Sequence, residues 1–211
     1  MRNYQTNILY ADASPLKNKV SFDVVFQLLP ATLQKTIQSK NNFEDQMLSL
    51  SAQILVQQLL QSANIKAQIS YSSEGKPLLI SNDKYYISIT HRYPYVACAL
   101  SKYPVGIDIE SQDTDFTQII KHYYSDKEKR FLKSCLNPQY ESTKLWCRKE
   151  CYIKYDKPQE LRGLDVLNAP EDYFYLSIPL QDHAFEVLMK NGAYHYEIFD
   201  IAAYLKPLVI E

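Results

Sequence analysis

Residues 85–110 read YYISITHRYPYVACALSKYPVGIDIE and form the most strand-like part of the chain. Tyr85–Ile89, Tyr95–Leu100 and Val105–Glu110 are short runs rich in β-branched and aromatic residues, which favour extended backbone. His91-Arg92-Tyr93-Pro94 separates the first two runs, and its proline indicates a turn. The stretch therefore predicts three strands, the first two on either side of this turn.

Helices are predicted on both sides of this stretch. Phe43–Gln61 carries apolar residues at helical intervals, and Asn42 is a suitable N-cap. Further on, Ser125-Asp126-Lys127-Glu128 has the pattern of a capping box and begins a helix that Asn137-Pro138 ends. A third helix is predicted over Glu141–Tyr155, stopping near Asp156-Lys157-Pro158.

The order of elements suggests a repeat. Further strands are predicted at Asn7–Ala11, Tyr173–Ile178, Ala184–Met189 and Tyr194–Phe199. The sequence of strand, helix and strands thus occurs about twice, which predicts an α+β fold of two similar halves. We place the halves at residues 1–103 and 104–211.

Composition excludes several classes of protein. The 211 residues include 23 Lys+Arg and 24 Asp+Glu, a formal net charge of −1, whereas a protein that coats nucleic acid is normally basic. No apolar run approaches the length of about 18 residues that a membrane span needs, and no signal-peptide pattern opens the chain. We therefore expect a cytoplasmic protein, with neither nucleic acid nor a membrane as its partner.

Cysteine and glycine usage narrow the chemistry further. Four cysteines are present without C-x-x-C spacing, so reduced thiols are expected rather than a structural metal site. Only four glycines occur, and none belongs to a glycine-rich loop of the Walker or Rossmann type.

The first chemical motif is Gly106-Ile107-Asp108-Ile109-Glu110. Residues i and i+2 of a strand point to the same face, so Asp108 and Glu110 are expected side by side, with Ile107 and Ile109 packed behind. Two adjacent carboxylates repel each other unless a proton or a cation lies between them. Their hard oxygens suit Mg²⁺ bound together with substrate phosphates. The alternative is a strand end with merely solvated acids.

The second motif is a stripe on the predicted third helix. Trp146, Glu150 and Lys154 are spaced i, i+4 and i+8, so they share one face. Glu150 would be a third acid for the same metal, and Lys154 would neutralise a phosphate oxygen. The alternative is an ordinary surface Glu–Lys pair with Trp146 in the core.

Two smaller motifs suggest anion binding. Ser88-Ile89-Thr90-His91, followed by Arg92, combines a hydroxyl, an imidazole and backbone N–H groups at a strand end. Gly75-Lys76-Pro77 presents a lysine at a turn. A structural histidine and a solvent-exposed loop explain these motifs equally well.

Taken in order, these motifs resemble the 4′-phosphopantetheinyl transferases. The resemblance lies in Gly75-Lys76-Pro77, Thr90-His91, Gly106–Glu110 and Trp146–Lys154. The length is similar to the longer, surfactin-type class, which implies that two related α+β halves form a pseudo-dimer within one chain. It implies transfer of the phosphopantetheine arm of coenzyme A to a serine of an acyl or peptidyl carrier protein, with release of 3′,5′-ADP. The first half would hold the adenylate end, and the second half would supply the metal and the catalytic helix.

The resemblance also implies roles for individual residues. Mg²⁺ would be bound by Asp108, Glu110 and Glu150. The reaction would be catalysed by Glu150, Lys154 and Glu110, with either Glu150 or a water polarised by Glu110 accepting the serine proton. Coenzyme A would be bound by Lys76, Pro77, Thr90, His91, Lys154, Lys35 and Lys40.

Several features depart from the pattern or leave it open. Members of the family usually carry basic residues in and before the long first helix, yet Phe43–Gln61 has none, and Gln38 and Gln53 stand where positive charge is expected. Either coenzyme A is bound weakly, or Lys17, Lys19 or Arg92 substitutes. Because carrier proteins are acidic, a local basic face is expected, and its candidates are Lys121, Lys127, Lys129, Arg130 and Lys133. A solvated helix face of mixed charge, with Asp126 and Glu128 interleaved, is the alternative. A monomer is expected.

The sequence leaves two alternative functions. A relative of the transferases that binds coenzyme A or a carrier protein without turnover would explain the missing basic residues. An exonuclease with Asp-x-Glu on its first strand is a further alternative, but neither His122 nor Tyr140 lies in the spacing that its later acids require.

Overall fold

The computed structural model describes residues 4–72, 75–81, 83–156 and 161–209. Its helices and strands form an α+β fold, as predicted. The strands are β1 Thr6–Asp12, β2 Gln68–Tyr71, β3 Pro77–Ile80, β4 Tyr86–Arg92, β5 Tyr95–Ser101, β6 Gly106–Ser111, β7 Tyr173–Ser177, β8 His183–Lys190 and β9 Tyr194–Ile198. The α-helices are α1 Lys19–Gln27, α2 Ala31–Gln38, α3 Phe43–Ser62, α4 Thr117–Tyr123, α5 Asp126–Ser134, α6 Pro138–Asp156 and α7 Ile201–Leu205.

Two sheets pack face to face, and each carries a long helix on its outer side. The first sheet has the order β4-β5-β1-β9, and the second has the order β6-β8-β7. Leu9 and Cys98 face α3 in one core, whereas Ile8 and Ala97 meet Ile107 of the second sheet in another. This alternation along β1 and β5 follows from the two-residue period of a strand. α6 packs on β6 and β8.

The two sheets share one topology. In the first, β1 pairs antiparallel with β5, which pairs antiparallel with β4. In the second, β6 pairs in the same way with β8, and β8 with β7. The last strand and helix return to the first half: β9 pairs in parallel with β1, and Ile201 and Leu205 of α7 lie in the first core. The division at residues 103 and 104 stays a prediction.

Two buried hydroxyl groups join the sheets near the carboxylate motif. The backbone N–H of Ile107 donates to Ser88 Oγ at 3.2 Å, and that of Ile109 donates to Thr90 Oγ1 at 3.3 Å. Buried backbone donors need acceptors, and here side chains of β4 supply them. The motif of β6 is therefore fixed against the end of β4.

Gly106 allows α6 to approach β6 closely. A Cβ atom at this position would lie 1.9 Å from the carbonyl oxygen of Cys151, in the middle of α6. Because the Gly106 position faces α6, Asp108 and Glu110 on the same face of the strand also point toward that helix.

We expect Gly106→Ala to lower the free energy of unfolding by about 2–3 kcal/mol, since a backbone atom cannot move aside as a side chain can. Urea denaturation of the variant and the native chain measures this difference. An unchanged midpoint would show that the helix can retreat without cost.

Most predicted boundaries agree with the structure to within two residues, but two features differ. Helix α6 begins at Pro138, where proline fits because its missing N–H would have no partner in the first turn. His91 and Arg92 belong to β4 and pair with Val96 and Tyr95, so the turn contains only Tyr93-Pro94. The predicted stop at Asp156-Lys157-Pro158 lies partly outside the described residues.

None of the helices in the described ranges is long and apolar enough to cross a membrane.

Candidate active site

A cleft of about 610 Å³ runs from α2 and α3 across the end of β4 to β6 and α6. A second, more polar hollow adjoins it and shares Lys40, Ser49 and His91. The predicted site residues that line the first cleft are Lys40, Pro77, Thr90, His91, Asp108 and Lys154.

Asp108 lies at the inner end of the cleft and is only 7 % exposed. Thr90 donates its hydroxyl to Asp108 Oδ1 at 3.0 Å, and the Lys154 ammonium donates to the same oxygen at 2.7 Å. Within the described ranges, no group donates to the other oxygen, Oδ2. Strands β4 and β6 and helix α6 thus meet at one carboxylate.

Lys154 stays charged in this position. Burial alone would lower the pKa of its ammonium, but the adjacent Asp108 carboxylate outweighs that effect and raises the pKa above its ordinary value. Lys154 also donates to the carbonyl oxygen of Ile107 at 2.9 Å. The cleft therefore contains a fixed positive charge beside a fixed negative one.

Glu110 contacts its neighbours through only one of its two carboxylate oxygens, among the residues that the structure describes. Its Oε1 accepts hydrogen bonds from Thr114 Oγ1 at 3.0 Å and from the backbone N–H of Ser111 at 2.9 Å, and it forms an ion pair with Arg92, whose Nε lies 2.9 Å away. Oε2 has no donor among the residues that the structure describes. Arg92 is thus occupied by Glu110 and does not line the cleft.

Glu150 follows the expected helical geometry and is half-buried on α6. Burial raises the pKa of its carboxyl, the nearby Asp108 and Glu110 carboxylates raise it further, and Lys154 opposes them. No described residue donates a hydrogen bond to Glu150. Trp146, four residues earlier, packs against the Tyr123 ring in a small apolar cluster, as the structural alternative for it predicted.

The three carboxylates lie close enough for their charges to interact, but they are not arranged as a finished metal site. Within the described ranges, no group of three or more His, Cys, Asp or Glu side chains is positioned to hold a metal ion. Lys154 and Arg92 instead neutralise Asp108 and Glu110. The chemistry of the donor set nevertheless fits a hard divalent cation, since Asp108 and Glu110 each keep one oxygen without a donor and Glu150 keeps both.

The predicted coenzyme A residues divide into two groups. Lys40 and His91 line both hollows, and the pKa of His91 is lowered by loss of hydration and by the ammonium groups of Lys154 and Lys40. Lys35 is exposed on α2 and is not among the described residues that line the cleft. Lys40 is therefore the lysine of this pair with access to a ligand in the cleft.

Lys76 and Thr90 already have structural partners. Lys76 Nζ donates to the carbonyl oxygen of Lys154 at 2.7 Å, near the carboxyl end of α6, where backbone carbonyls lack helical partners. Thr90 uses its hydroxyl to donate to Asp108 and to accept from Ile109. The structure thus gives Thr90 a role that the sequence did not indicate, namely holding Asp108.

The α3 side of the cleft is uncharged. Gln53, where a basic residue was expected, is buried and donates to the Tyr71 hydroxyl at 3.0 Å. Two proposed substitutes are engaged elsewhere, since Lys17 lies over the Tyr93 ring and Lys19 pairs with Asp23. Neither lysine lines the cleft.

Sequence reasoning missed a buried ion pair next to Glu150. Lys149 Nζ lies 3.0 Å from Glu128 Oε2, and both side chains are fully buried. Glu128 also accepts from the backbone N–H groups of Ser125 and Val166, while Lys149 donates to the carbonyl of Leu164. The capping box signalled one of these contacts, but no local pattern identified Lys149 as the partner.

The predicted basic face is more positive than the sequence suggested. Glu128 points inward to Lys149, so it does not place negative charge among the exposed lysines of α4 and α5. Phe131 and Leu136 are exposed beside them.

Comparison with known proteins shows which family this part of the chain resembles. Residues 104–195 match the family model described as the 4′-phosphopantetheinyl transferase superfamily. This segment contains Asp108, Glu110, Glu150 and Lys154, and its similarity to that superfamily agrees with the resemblance seen in the motifs.

Individual relatives extend the similarity. The chain is 31 % identical over 140 residues to the 4′-phosphopantetheinyl transferase gsp of Aneurinibacillus migulanus, covering 62 % of this chain and 58 % of the relative. It is 30 % identical over 131 residues to the 4′-phosphopantetheinyl transferase Sfp of Bacillus subtilis, covering 58 % and 56 %. A phosphopantetheinyl transferase of Saccharomyces cerevisiae, named for L-aminoadipate-semialdehyde dehydrogenase, is 29 % identical over 157 residues, covering 66 % and 57 %. The chain thus spans less than two thirds of the length of each relative.

Proposed function

We propose that the chain transfers the 4′-phosphopantetheine arm of coenzyme A to a serine hydroxyl of an acyl or peptidyl carrier protein and releases 3′,5′-ADP. The observation that carries this proposal is the junction at Asp108 in the cleft, where Thr90 and Lys154 bind one carboxylate oxygen. Glu150 is not among the described residues that line the cleft, but its carboxyl interacts electrostatically with Asp108. The superfamily match of residues 104–195 supports the same activity.

The cleft has the size and polarity that this substrate requires. Its volume of about 610 Å³ falls in the range of cofactor sites, which is about 300–1,000 Å³. The pyrophosphate would lie at the inner end, near Lys154, and the adenylate would extend toward Lys40 and His91. Lys40 would then neutralise a phosphate group at the outer end.

In the reaction, the serine oxygen attacks the phosphorus on the pantetheine side of the pyrophosphate, and the bond to the departing 3′,5′-ADP breaks. Glu150 accepts the serine proton, because a carboxylate with a raised pKa is a better base than an ordinary one. Lys154 offers its ammonium to the negative charge that builds on the leaving phosphate. Phosphoryl transfer depends mainly on positioning and charge, so no protein nucleophile is needed.

Asp108, Glu110 and Glu150 would hold Mg²⁺, which when bound supplies further positive charge against the pyrophosphate. Thr90 keeps Asp108 oriented, and Thr114 with the Ser111 N–H keeps Glu110 oriented. Both carboxylates are therefore positioned before a ligand arrives.

The carrier protein would dock on the face formed by α4 and α5. Carrier proteins are acidic, and complementary charge speeds and orients association. The exposed side chains that suit such a partner are Lys121, Lys127, Arg130, Phe131, Lys133 and Leu136. Action as a monomer in the cytoplasm also stays a prediction.

Intact-mass spectrometry of an apo carrier protein incubated with the chain, coenzyme A and Mg²⁺ tests the proposal. We expect a gain of one phosphopantetheine mass, and none on a carrier protein whose acceptor serine is alanine. A carrier protein that never gains the mass, across fatty-acid, polyketide and peptide synthase types, would contradict the proposed transfer.

The uncharged α3 wall favours one alternative, a member of the family that binds without turnover. Calorimetric binding of coenzyme A combined with no mass gain would identify this case. The observed geometry gives no support to an exonuclease, and we expect single-stranded DNA incubated with the chain and Mg²⁺ to stay intact.

A further inference from the structure

Arg92 has a position that the proposed reaction does not explain. Its side chain is 48 % exposed at the end of β4, outside the cleft, yet its Nε lies 2.9 Å from Glu110 Oε1. Glu110 is one of the carboxylates proposed to hold a cation. A guanidinium at that distance provides positive charge where a divalent ion would otherwise provide it.

Glu110 has two neutral hydrogen-bond donors besides the ion pair with Arg92. Thr114 Oγ1 and the Ser111 N–H reach the same oxygen at 3.0 and 2.9 Å, so two neutral donors hold the carboxylate. Arg92 also donates to Thr114 Oγ1 at 3.2 Å. Removing the guanidinium therefore removes charge and leaves the carboxylate held with Oε2 free of donors from the described residues.

We propose that Arg92 limits the affinity of this site for divalent cations, because a cation that approaches Glu110 is repelled by the guanidinium and must share the carboxylate with it. This inference rests on the proposed function, in which Asp108, Glu110 and Glu150 form a cation site. Arg92 is a positioning residue, since it acts through Glu110 and touches neither substrate. As a consequence, side chains of the protein itself neutralise the carboxylates of the site until a cation binds.

Titration of the ligand-free chain with Mn²⁺, followed by the electron paramagnetic resonance signal of free Mn²⁺, tests the inference without any turnover. We expect Arg92→Gln to bind Mn²⁺ about fivefold more tightly than the native chain at low salt, given a half-exposed charge. Arg92→Lys, which keeps the charge, should bind nearly as the native chain does. Thr114→Val should not tighten binding, since it loosens Glu110 and leaves the guanidinium in place.

Lys206→Gln is the matched control, because Lys206 is exposed at the C-terminal end of α7 and its loss changes the net charge equally. We expect no change in Mn²⁺ affinity for it. The role of Arg92 would be overturned if Arg92→Gln bound Mn²⁺ with the affinity of the native chain. It would also be overturned if Lys206→Gln bound Mn²⁺ as tightly as Arg92→Gln does. A native chain that binds no Mn²⁺ would instead overturn the cation site itself, and thus that part of the proposed function.

Discussion

Glu150→Gln is expected to lower the rate of phosphopantetheine transfer by about a thousandfold or more and to make the folded protein more stable at neutral pH. The loss of rate follows because glutamine keeps the shape of the side chain but neither accepts the serine proton nor contributes a charged ligand to a cation. Initial rates from intact-mass spectrometry at saturating coenzyme A and carrier protein measure the effect.

The gain in stability follows from the raised pKa of Glu150. In the folded chain, burial and the neighbouring Asp108 and Glu110 carboxylates make ionisation costly, and the unfolded chain ionises near the ordinary value of 4.5. The folded state therefore holds this proton at pH values where the unfolded state has lost it. As the pH rises through the raised pKa, the native chain loses stability that the glutamine variant does not lose.

Urea denaturation at several pH values shows this signature. The advantage of Glu150→Gln should be absent below the ordinary glutamate pKa, grow as the pH rises and level off near neutrality. Mg²⁺ should reduce the advantage, because a ligand of the folded state stabilises only the chain that binds it. Glu171→Gln, an exposed residue in the turn before β7, is the matched control and should change neither rate nor stability.

A transfer rate within tenfold of the native one would remove Glu150 from the reaction. A stability difference that does not depend on pH would mean that the carboxylate cluster carries no electrostatic strain. The two readouts are separate, so the base and the cluster are tested independently.

The sequence predicted the elements whose signals are local. Helix α3 begins at Phe43, one residue after an N-cap whose side chain accepts from Asp45, and both features are encoded within a few residues. The same holds for the capping box of α5, which the structure confirms in both directions. These contacts depend on spacing along one helix, and a sequence pattern contains that information.

What the sequence did not predict arises from contacts between distant segments. Nothing near β9 indicates that it pairs with β1, and nothing near Thr90 indicates that it holds Asp108. His91 and Arg92 were expected in a turn because proline follows closely, but pairing with β5 extends the strand through Arg92. Tertiary pairing thus overrides the local signal where two strands meet.

The candidate site shows the same division. Asp108, Glu110 and Glu150 were chosen from periodicity, and their charges do interact in the folded chain. Their partners were not predicted in the same way, since Arg92 was only one candidate for phosphate binding and in the structure forms an ion pair with Glu110. A strand or helix period gives the direction of a side chain but not the group that it meets.

The second large effect is expected at the buried pair of Lys149 and Glu128. Lys149→Met should lower the free energy of unfolding by about 3–5 kcal/mol, because it leaves the Glu128 carboxylate buried without its counter-charge. Lys144→Met is the matched control on the same helix. Lys144 lies 3.6 Å from Glu141 in a partly exposed pair, so its loss should cost less than about 1 kcal/mol.

A double-mutant cycle separates the ion pair from lost packing. Glu128→Gln keeps an oxygen that can accept a hydrogen bond from the Val166 N–H. In the double variant Lys149→Met/Glu128→Gln, neither member of this pair carries a charge. The double variant should therefore be more stable than the sum of the single losses predicts, by about 1–3 kcal/mol. Urea denaturation of all four chains gives this coupling energy. A coupling energy near zero would mean that Lys149 and Glu128 each contribute only packing. Lys149 would then fix α6 against α5 by its shape rather than by its charge.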